Sequence, residues 1–145
     1  MNSRPIKILL VEDNEGDIVL TMEALKDSQL PNEIIIKKDG EAAITYLKEL
    51  EKSQPKQLPD LILLDINLPK MNGHEVLNQI KNDPELKRTP IIVLTTSSSE
   101  TDIIEAYSKH ANCYITKPVD INDFLKITSK IEEFWFNVVK LPTSI

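Results

Sequence analysis

The chain of 145 residues contains 41% hydrophobic and 28% charged residues, a composition typical of one globular domain with its own core. Its net charge of −6 and the lack of a long Lys or Arg run argue against direct binding to nucleic acid. The single cysteine, Cys113, rules out an internal disulfide and fits a reducing cytoplasm. No segment reaches transmembrane length or resembles a signal peptide, so we expect a cytoplasmic protein without a membrane partner.

Five short apolar segments predict β-strands. In chain order they cover residues 6–11, 33–37, 61–65, 91–95 and 113–116. Runs of this length that are apolar throughout are typical of strands buried on both faces of a parallel sheet. Because helix-like segments separate them, the sequence predicts an α/β fold, with helices on both faces and right-handed crossovers.

Apolar residues recur at helical spacing between the strands. The stripes are formed by Ile18, Met22 and Leu25, by Ala42, Ala43, Tyr46, Leu47 and Leu50, by Val76, Leu77 and Ile80, and by Ile103, Ile104 and Tyr107. Residues 52–59 contain two prolines and several polar residues, which indicates a surface loop rather than a domain linker. A last helix is expected to begin near Asp120 and to continue past Lys130.

Four of the predicted strands end on residue types that can hold a phosphoryl group. Glu12 and Asp13 follow the first strand, and Asp65 ends the third. Thr95 ends the fourth strand, and Lys117 follows the fifth. Functional residues of an open parallel sheet collect at the carboxyl ends of its strands, so we expect these side chains to meet in one pocket.

The chemistry of this pocket favours phosphoryl transfer. Three adjacent carboxylates repel one another unless a cation neutralises them, and Mg²⁺ suits a site of few carboxylates, waters and a phosphate. No His or Cys lies beside these acids in the sequence, which argues against zinc. An aspartate can act as nucleophile, while Lys117 and Thr95 supply a charge and a hydroxyl for the transferred oxygens. Acids and threonines also end strands simply because strands end at the surface, but several complementary ones favour a functional site.

The motifs around these residues resemble those of bacterial response regulator receiver domains. The matching segments are residues 10–14, 64–73, 94–96 and 114–118, and the resemblance spans about residues 5–130. It implies a flavodoxin-like, doubly wound sheet of five parallel strands in the order 2-1-3-4-5. Residues 5–130 would then form a stand-alone receiver domain, and residues 131–145 a C-terminal helix extension and tail.

The resemblance implies a metal site and a phosphoacceptor. Asp65 matches the aspartate that accepts a phosphoryl group from a histidine kinase. Asp13 matches the direct Mg²⁺ ligand, and Glu12 matches an acid that assists through water. Asn67 matches the position whose backbone carbonyl completes the metal site, so the implied metal set is Glu12, Asp13, Asp65 and Asn67.

The resemblance also implies a switch. Thr95 and Lys117 match the pair that contacts the phosphate, and with Asp65 they form the expected catalytic group. Tyr114 matches the aromatic residue that turns inward when the threonine is drawn to the phosphate. Phosphorylation would then shift a two-state equilibrium on the face formed by the fourth helix, the fifth strand and the fifth helix.

Two alternative functions fit the sequence less well. Phosphatases with an aspartyl nucleophile carry a second aspartate two residues later as acid and base, and this chain has Asn67 there. A degenerate receiver that serves as a scaffold would lack members of the pocket, and none is missing. The sequence therefore favours a receiver that catalyses its own phosphorylation and dephosphorylation, and is not an enzyme for other substrates.

The C-terminal segment is unusually aromatic. All three phenylalanines and the sole tryptophan, Phe124, Phe134, Phe136 and Trp135, lie in the last predicted helix and its extension. Two apolar stripes on this helix exceed what one docking face needs. The ending resembles the tails of response regulators that are paired with bacteriophytochrome kinases, which implies a phytochrome-type histidine kinase as partner. The tail could instead fold back on its own domain.

We predict a homodimer whose interface contains Ile103, Ile104, Tyr107, Phe134 and Trp135. A symmetric arrangement would bury an apolar patch that a soluble monomer should not expose. Sedimentation velocity is expected to show a dimer for the wild type and a monomer for the double variant Phe134→Ala, Trp135→Ala. A wild type that stays monomeric at high micromolar concentration, with and without a phosphate mimic, would mean that the tail folds back.

Overall fold

The computed structural model describes residues 5–27, 31–96, 113–117 and 122. Within these ranges the strands and helices alternate along the chain. They are β1 (Ile6–Val11), α1 (Glu15–Asp27), β2 (Asn32–Lys37), α2 (Gly40–Ser53), β3 (Leu61–Asp65), α3 (Gly73–Lys81), β4 (Ile91–Thr95) and β5 (Cys113–Thr116). Short 3₁₀ turns at Pro55–Gln57 and Leu86–Arg88 follow α2 and α3.

The five strands form one parallel sheet in the order β2-β1-β3-β4-β5, which confirms the predicted order. The chain runs outward from β1 to β2 and then returns to place β3 on the other side of β1. The strand order therefore reverses between β1 and β3, and a crevice opens there at the carboxyl edge of the sheet. Val11 lies opposite Leu64 in this pair, so the residues that follow β1 and end β3 meet at the crevice.

Burial explains why the central strands are apolar throughout. Every residue of β3 and β4 is buried, because helices cover both faces of the sheet and neighbouring strands cover both edges of each strand. On one face, Leu9 and Val11 of β1 pack with Val76 and Ile80 of α3. On the other face, Ile8 and Leu10 pack with residues of α1. Each fully buried aliphatic side chain contributes about 1.5–3 kcal/mol to this sandwich.

The edge strand β2 differs from the central strands. Its side chains alternate between half-buried and exposed, and Ile35 is among the exposed ones. The strand pairs only with β1 among the described residues. This strand begins one residue earlier than the sequence predicted, since a half-exposed edge strand has a weak apolar boundary.

The buried face of α1 that the sequence predicted was partly wrong, because the helix is rotated about its axis. Ile18 and Leu25 are buried as expected, but Met22 is 40% exposed and Thr21 takes the buried position. Ala24 is buried as well, so the face against the sheet is centred on small side chains rather than on Met22. Spacing alone could not separate these rotations, because positions 21 and 22 both lie one helical turn from position 18.

The predicted surface loop at residues 52–59 was wrong over its first two residues. Helix α2 continues through Ser53, whose hydroxyl donates to the Glu49 carbonyl at 2.7 Å. The backbone N–H of Gln54 donates to the Leu50 carbonyl at 2.8 Å and closes the last turn. Pro55 then stops the helix because it has no N–H to continue the ladder.

Several predictions lie outside the described residues. They concern the fourth helix with Ile103, Ile104 and Tyr107, and the C-terminal helix and tail with Phe134 and Trp135. The domain limits at residues 5–130 and 131–145 remain a prediction. In the part of the chain that the structure describes, every helix falls short of the length and apolarity of a bilayer-spanning segment.

The start of α2 packs directly on the loop that follows β3. Asp39 caps the helix by accepting a hydrogen bond from the Ala42 N–H at 2.7 Å. At the next position, Gly40, a Cβ atom would lie 1.9 Å from the Met71 carbonyl oxygen and 2.7 Å from Val76 Cγ2. Since the first of these atoms belongs to the backbone, the loop could accommodate a side chain only by moving away from the helix.

We therefore expect Gly40→Ala to lower the free energy of unfolding by about 2 kcal/mol, within the usual range for overpacking. The control is Gly16→Ala in α1, where a Cβ atom would meet Asn14 Oδ1 at 3.3 Å and no other neighbour. The control should change stability by less than about 1 kcal/mol, since alanine suits a helix better than glycine. Urea unfolding of both variants tests this, and equal midpoints would contradict the close packing at Gly40.

Candidate functional site

The carboxyl ends of four strands bring the predicted pocket residues to one edge of the sheet. Glu12 extends β1, and its N–H donates to the Lys37 carbonyl at 3.0 Å. Thr95 ends β4, and its carbonyl accepts a hydrogen bond from the Lys117 N–H at 2.6 Å. Asp65 ends β3 one strand away, where it lies opposite Leu94. Regular parallel pairing is therefore what aligns these strand ends.

Three carboxylates form a cluster at this edge. One oxygen from each of Glu12, Asp13 and Asp65 lies within 4.8 Å of the others. Glu12 and Asp65 are buried, at 0% and 2% exposure, whereas Asp13 is exposed at the mouth. Oxygen ligands in a small, strongly negative cluster suit a hard divalent cation such as Mg²⁺, an ion that usually retains several of its waters.

Lys117 lies against this cluster. Its Nζ atom is 3.0 Å from Glu12 Oε1, 3.0 Å from Asp17 Oδ2 and 3.2 Å from Asp65 Oδ1. The Lys117 side chain is only 8% exposed. Two of these contacts, with Glu12 and Asp17, are hydrogen bonds, and the contact with Asp65 is an ion pair.

Asp17 is the residue of this site that sequence reasoning missed. It lies in the first turn of α1, and its N–H donates to Asn14 Oδ1 at 2.9 Å in an N-cap arrangement. The Asn14 N–H in turn donates to Glu12 Oε2 at 3.2 Å, which anchors the cap to the acid cluster. The available signal was an acid in the first turn of a helix that begins directly after the pocket residues at the end of β1.

Burial and the ion pairs shift the pKa of two groups. Burial raises the pKa of Glu12 to about 7, against the hydrogen bond from Lys117 and with the help of the Asp65 charge. Burial alone would lower the pKa of Lys117, but the hydrogen bonds to Asp17 and Glu12 and the Asp65 charge raise it. Lys117 is therefore charged at neutral pH, and the remaining negative charge of the cluster favours a further cation.

The loop after β3 fixes the position of Asp65. The N–H of Asn67 donates to Asp65 Oδ1 at 3.3 Å, so this oxygen receives a hydrogen bond from the loop and also forms the ion pair with Lys117. At Gly73, which begins α3, a Cβ atom would lie 2.5 Å from the Asp65 carbonyl oxygen and 2.5 Å from Ile66 Cα. The start of α3 thus packs on the backbone of Asp65 itself.

The same loop contains a left-handed backbone conformation at Lys70, with φ of 64°. Such a conformation is unfavourable for a residue with a side chain and persists where surrounding contacts impose it. Lys70 Nζ lies 3.8 Å from Asp39 Oδ2, on the cap residue of α2. Contacts with both α2 and α3 therefore hold this loop in one conformation beside the pocket.

The two residues of the expected switch lie in different environments. Thr95 is completely buried at the end of β4, whereas the Tyr114 side chain is 38% exposed. Tyr114 lies opposite Val93 on the neighbouring strand. Asn67, expected to give a backbone carbonyl to the metal, is exposed beside Asp65.

Comparison with known proteins gives one consistent picture. The model of the response regulator receiver domain family matches residues 8–129. The response regulator Rcp1 of Synechocystis is 47% identical over 140 residues, which cover 97% of this chain and 95% of that protein.

Solved structures agree with the fold. The phosphorylated cyanobacterial phytochrome response regulator RcpA is 49% identical, with a TM-score of 0.72 and coverage of 92% of this chain and 95% of its own. The Mn²⁺-bound form of Rcp1 is 48% identical, with a TM-score of 0.70 and coverage of 92% and 96%. These similarities confirm the flavodoxin-like fold that the sequence predicted.

The geometry of the cluster predicts the effect of removing its exposed acid. Asp13→Asn should weaken Mg²⁺ binding at least about tenfold, or about 1.4 kcal/mol, because an amide lacks the charge that attracts the cation. Glu15→Gln is the control, since Glu15 is exposed and pairs with Lys38 instead. Isothermal titration with Mg²⁺ measures both variants, and equal affinity in Asp13→Asn and wild type would refute the metal role.

Proposed function

Because this chain belongs to the response regulator receiver domain family, we propose that it accepts a phosphoryl group from a histidine kinase on Asp65. The transfer depends on Mg²⁺ and is catalysed by the receiver's own side chains. The observation that carries this proposal is the contact of the buried Asp65 carboxylate with the Lys117 ammonium at 3.2 Å, inside the acid cluster. A nucleophile, a fixed cation and a set of metal ligands thus meet in one crevice.

In the proposed reaction, a carboxylate oxygen of Asp65 attacks the phosphorus of the phosphohistidine. A phosphorus–oxygen bond forms as the phosphorus–nitrogen bond breaks, and the histidine nitrogen keeps the electron pair. The hydrogen bond from Asn67 and the ion pair with Lys117 hold Oδ1, which leaves Oδ2 as the attacking oxygen. Mg²⁺, when bound, neutralises charge on the transferred oxygens, and the chain positions the reacting groups.

The proposed reaction involves the chain's own aspartate and no outside substrate. An aspartyl phosphatase would need an acid and base two residues after the nucleophile, and this position holds the amide Asn67. Asn67 cannot exchange a proton with a leaving group as a carboxylate can. We therefore propose that the protein is a signalling receiver, and that it acts on no outside substrate.

We propose that phosphorylation is read through Thr95 and Tyr114. A phosphoryl group on Asp65 adds acceptor oxygens for the Thr95 hydroxyl and for Lys117. The backbone bond from Lys117 to Thr95 couples the ends of β4 and β5, so a shift of one is passed to the other. The half-exposed Tyr114 ring can then turn inward and change the face of the fourth helix, fifth strand and fifth helix.

The relatives suggest the partner. Because two of the similar structures are cyanobacterial regulators and RcpA is a phytochrome response regulator, we propose a phytochrome-type histidine kinase as the phosphodonor. We also propose a cytoplasmic location and a homodimer whose interface contains Ile103, Ile104, Tyr107, Phe134 and Trp135. No direct nucleic-acid contact is proposed, since the net charge of the chain is −6.

Labelling with acetyl phosphate and Mg²⁺ tests the assignment of Asp65. The wild type should form an acid-stable, base-labile adduct, and Asp65→Asn should lose it because the amide is not a nucleophile. Asp60→Asn makes the same change at the opposite end of β3, where Asp60 accepts a hydrogen bond from the Lys7 N–H at 2.9 Å. This control should label normally by intact mass, and undiminished labelling of Asp65→Asn would sink the assignment.

A further inference from the structure

One of the carboxylates that hold Lys117 lies outside the acid cluster. Asp17 Oδ2 accepts a hydrogen bond from Lys117 Nζ at 3.0 Å, as close as Glu12 Oε1. It comes from helix α1 rather than from a strand end. The Asp17 side chain is 29% exposed, whereas Glu12 and Asp65 are buried.

A phosphoryl group on Asp65 offers new acceptor oxygens to the Lys117 ammonium group. An ammonium group has three N–H donors, and in the unphosphorylated protein three carboxylate oxygens lie within 3.2 Å of it. The phosphoryl group adds charged oxygens that need a donor. Phosphorylation also turns the Asp65 carboxylate into an acyl phosphate, so one donor of Lys117 can pass from Asp65 Oδ1 to the phosphoryl group. A second contact with the phosphoryl oxygens requires Lys117 to give up Glu12 or Asp17.

Of Glu12 and Asp17, Asp17 can lose its contact with Lys117 at the lower cost in free energy. Separating a buried carboxylate from its cation leaves an uncompensated charge away from water, which costs several kcal/mol. This applies to Glu12, which is 0% exposed. Water can hydrate the Asp17 carboxylate once the lysine leaves, because part of its surface is already accessible.

We infer that Asp17 is a positioning residue that holds Lys117 while Asp65 is unphosphorylated and releases it to the phosphoryl group. The inference rests on the proposed function and deepens it. Asp17 then competes with the phosphoryl group for one cation, so its carboxylate sets how strongly the site binds that group. The exchange also frees the first turn of α1 from β5, which links this helix to the phosphorylation state.

The test measures the affinity for beryllofluoride, a phosphoryl mimic, at saturating Mg²⁺ by NMR titration. Asp17→Asn should bind it at least about threefold more tightly than the wild type, because Lys117 no longer has to leave a charged partner. The substitution leaves the Asp17 N–H and its bond to Asn14 in place, so the cap of α1 is kept. A variant that merely damaged the fold would bind the mimic more weakly, so a gain in affinity separates the two explanations.

Two further variants separate the contact with Lys117 from the loss of a negative charge. Glu15→Gln removes one charge from the same turn of α1, where Glu15 pairs with Lys38, and should leave beryllofluoride affinity unchanged. Asp17→Glu keeps the charge and should restore affinity close to that of the wild type. A gain that is equal in Glu15→Gln, or an unchanged or weaker affinity in Asp17→Asn, would overturn the inference. A wild type that binds no beryllofluoride and accepts no phosphoryl group would overturn the proposed function as well.

Discussion

The functional edge of this protein depends on the ion pairs of one buried lysine. Lys117 follows β5, and its ammonium contacts carboxylates at the end of β1, in the first turn of α1 and at the end of β3. Without the lysine these three carboxylates would repel one another, because like charges lie close together here. The Lys117 ammonium allows the chain to keep Glu12 and Asp65 buried, and their burial strengthens each contact by excluding water.

Backbone packing fixes what the ion pairs cannot. Gly40 and Gly73 let two helices begin directly against the loop after β3, with no room for a Cβ atom at either position. The left-handed conformation of Lys70 lies between these contacts. A loop held from both sides keeps its position when charge moves from Asp65 to the phosphoryl oxygens, and preorganised groups of this kind stabilise transferred charge without the cost of reorganisation.

The sequence predicted those parts of the fold and site that depend on local patterns. The buried strands β3 and β4 were predicted at their true limits, because burial on both faces leaves an unbroken apolar run bounded by polar residues. The rotation of α1 was not predictable, since Thr21 and Met22 fit the same spacing and tertiary packing chose between them. The role of Asp17 was not predicted for a related reason, since it depends on the approach of Lys117, 100 positions away in the chain.

The charge balance of the crevice also predicts the order in which the divalent cation and the phosphodonor bind. Among the described residues, four carboxylates, Glu12, Asp13, Asp17 and Asp65, share one ammonium, which gives a formal charge of −3 when all are ionised. An anionic phosphodonor that approached this crevice unaided would be repelled. Burial, and to a smaller extent the neighbouring Asp65 charge, raises the pKa of Glu12 to about 7. A divalent cation lowers the formal charge to −1, so we expect the cation to bind before the phosphodonor. In the exchange that we infer, Asp17 then turns to water and leaves Lys117 to the phosphoryl group.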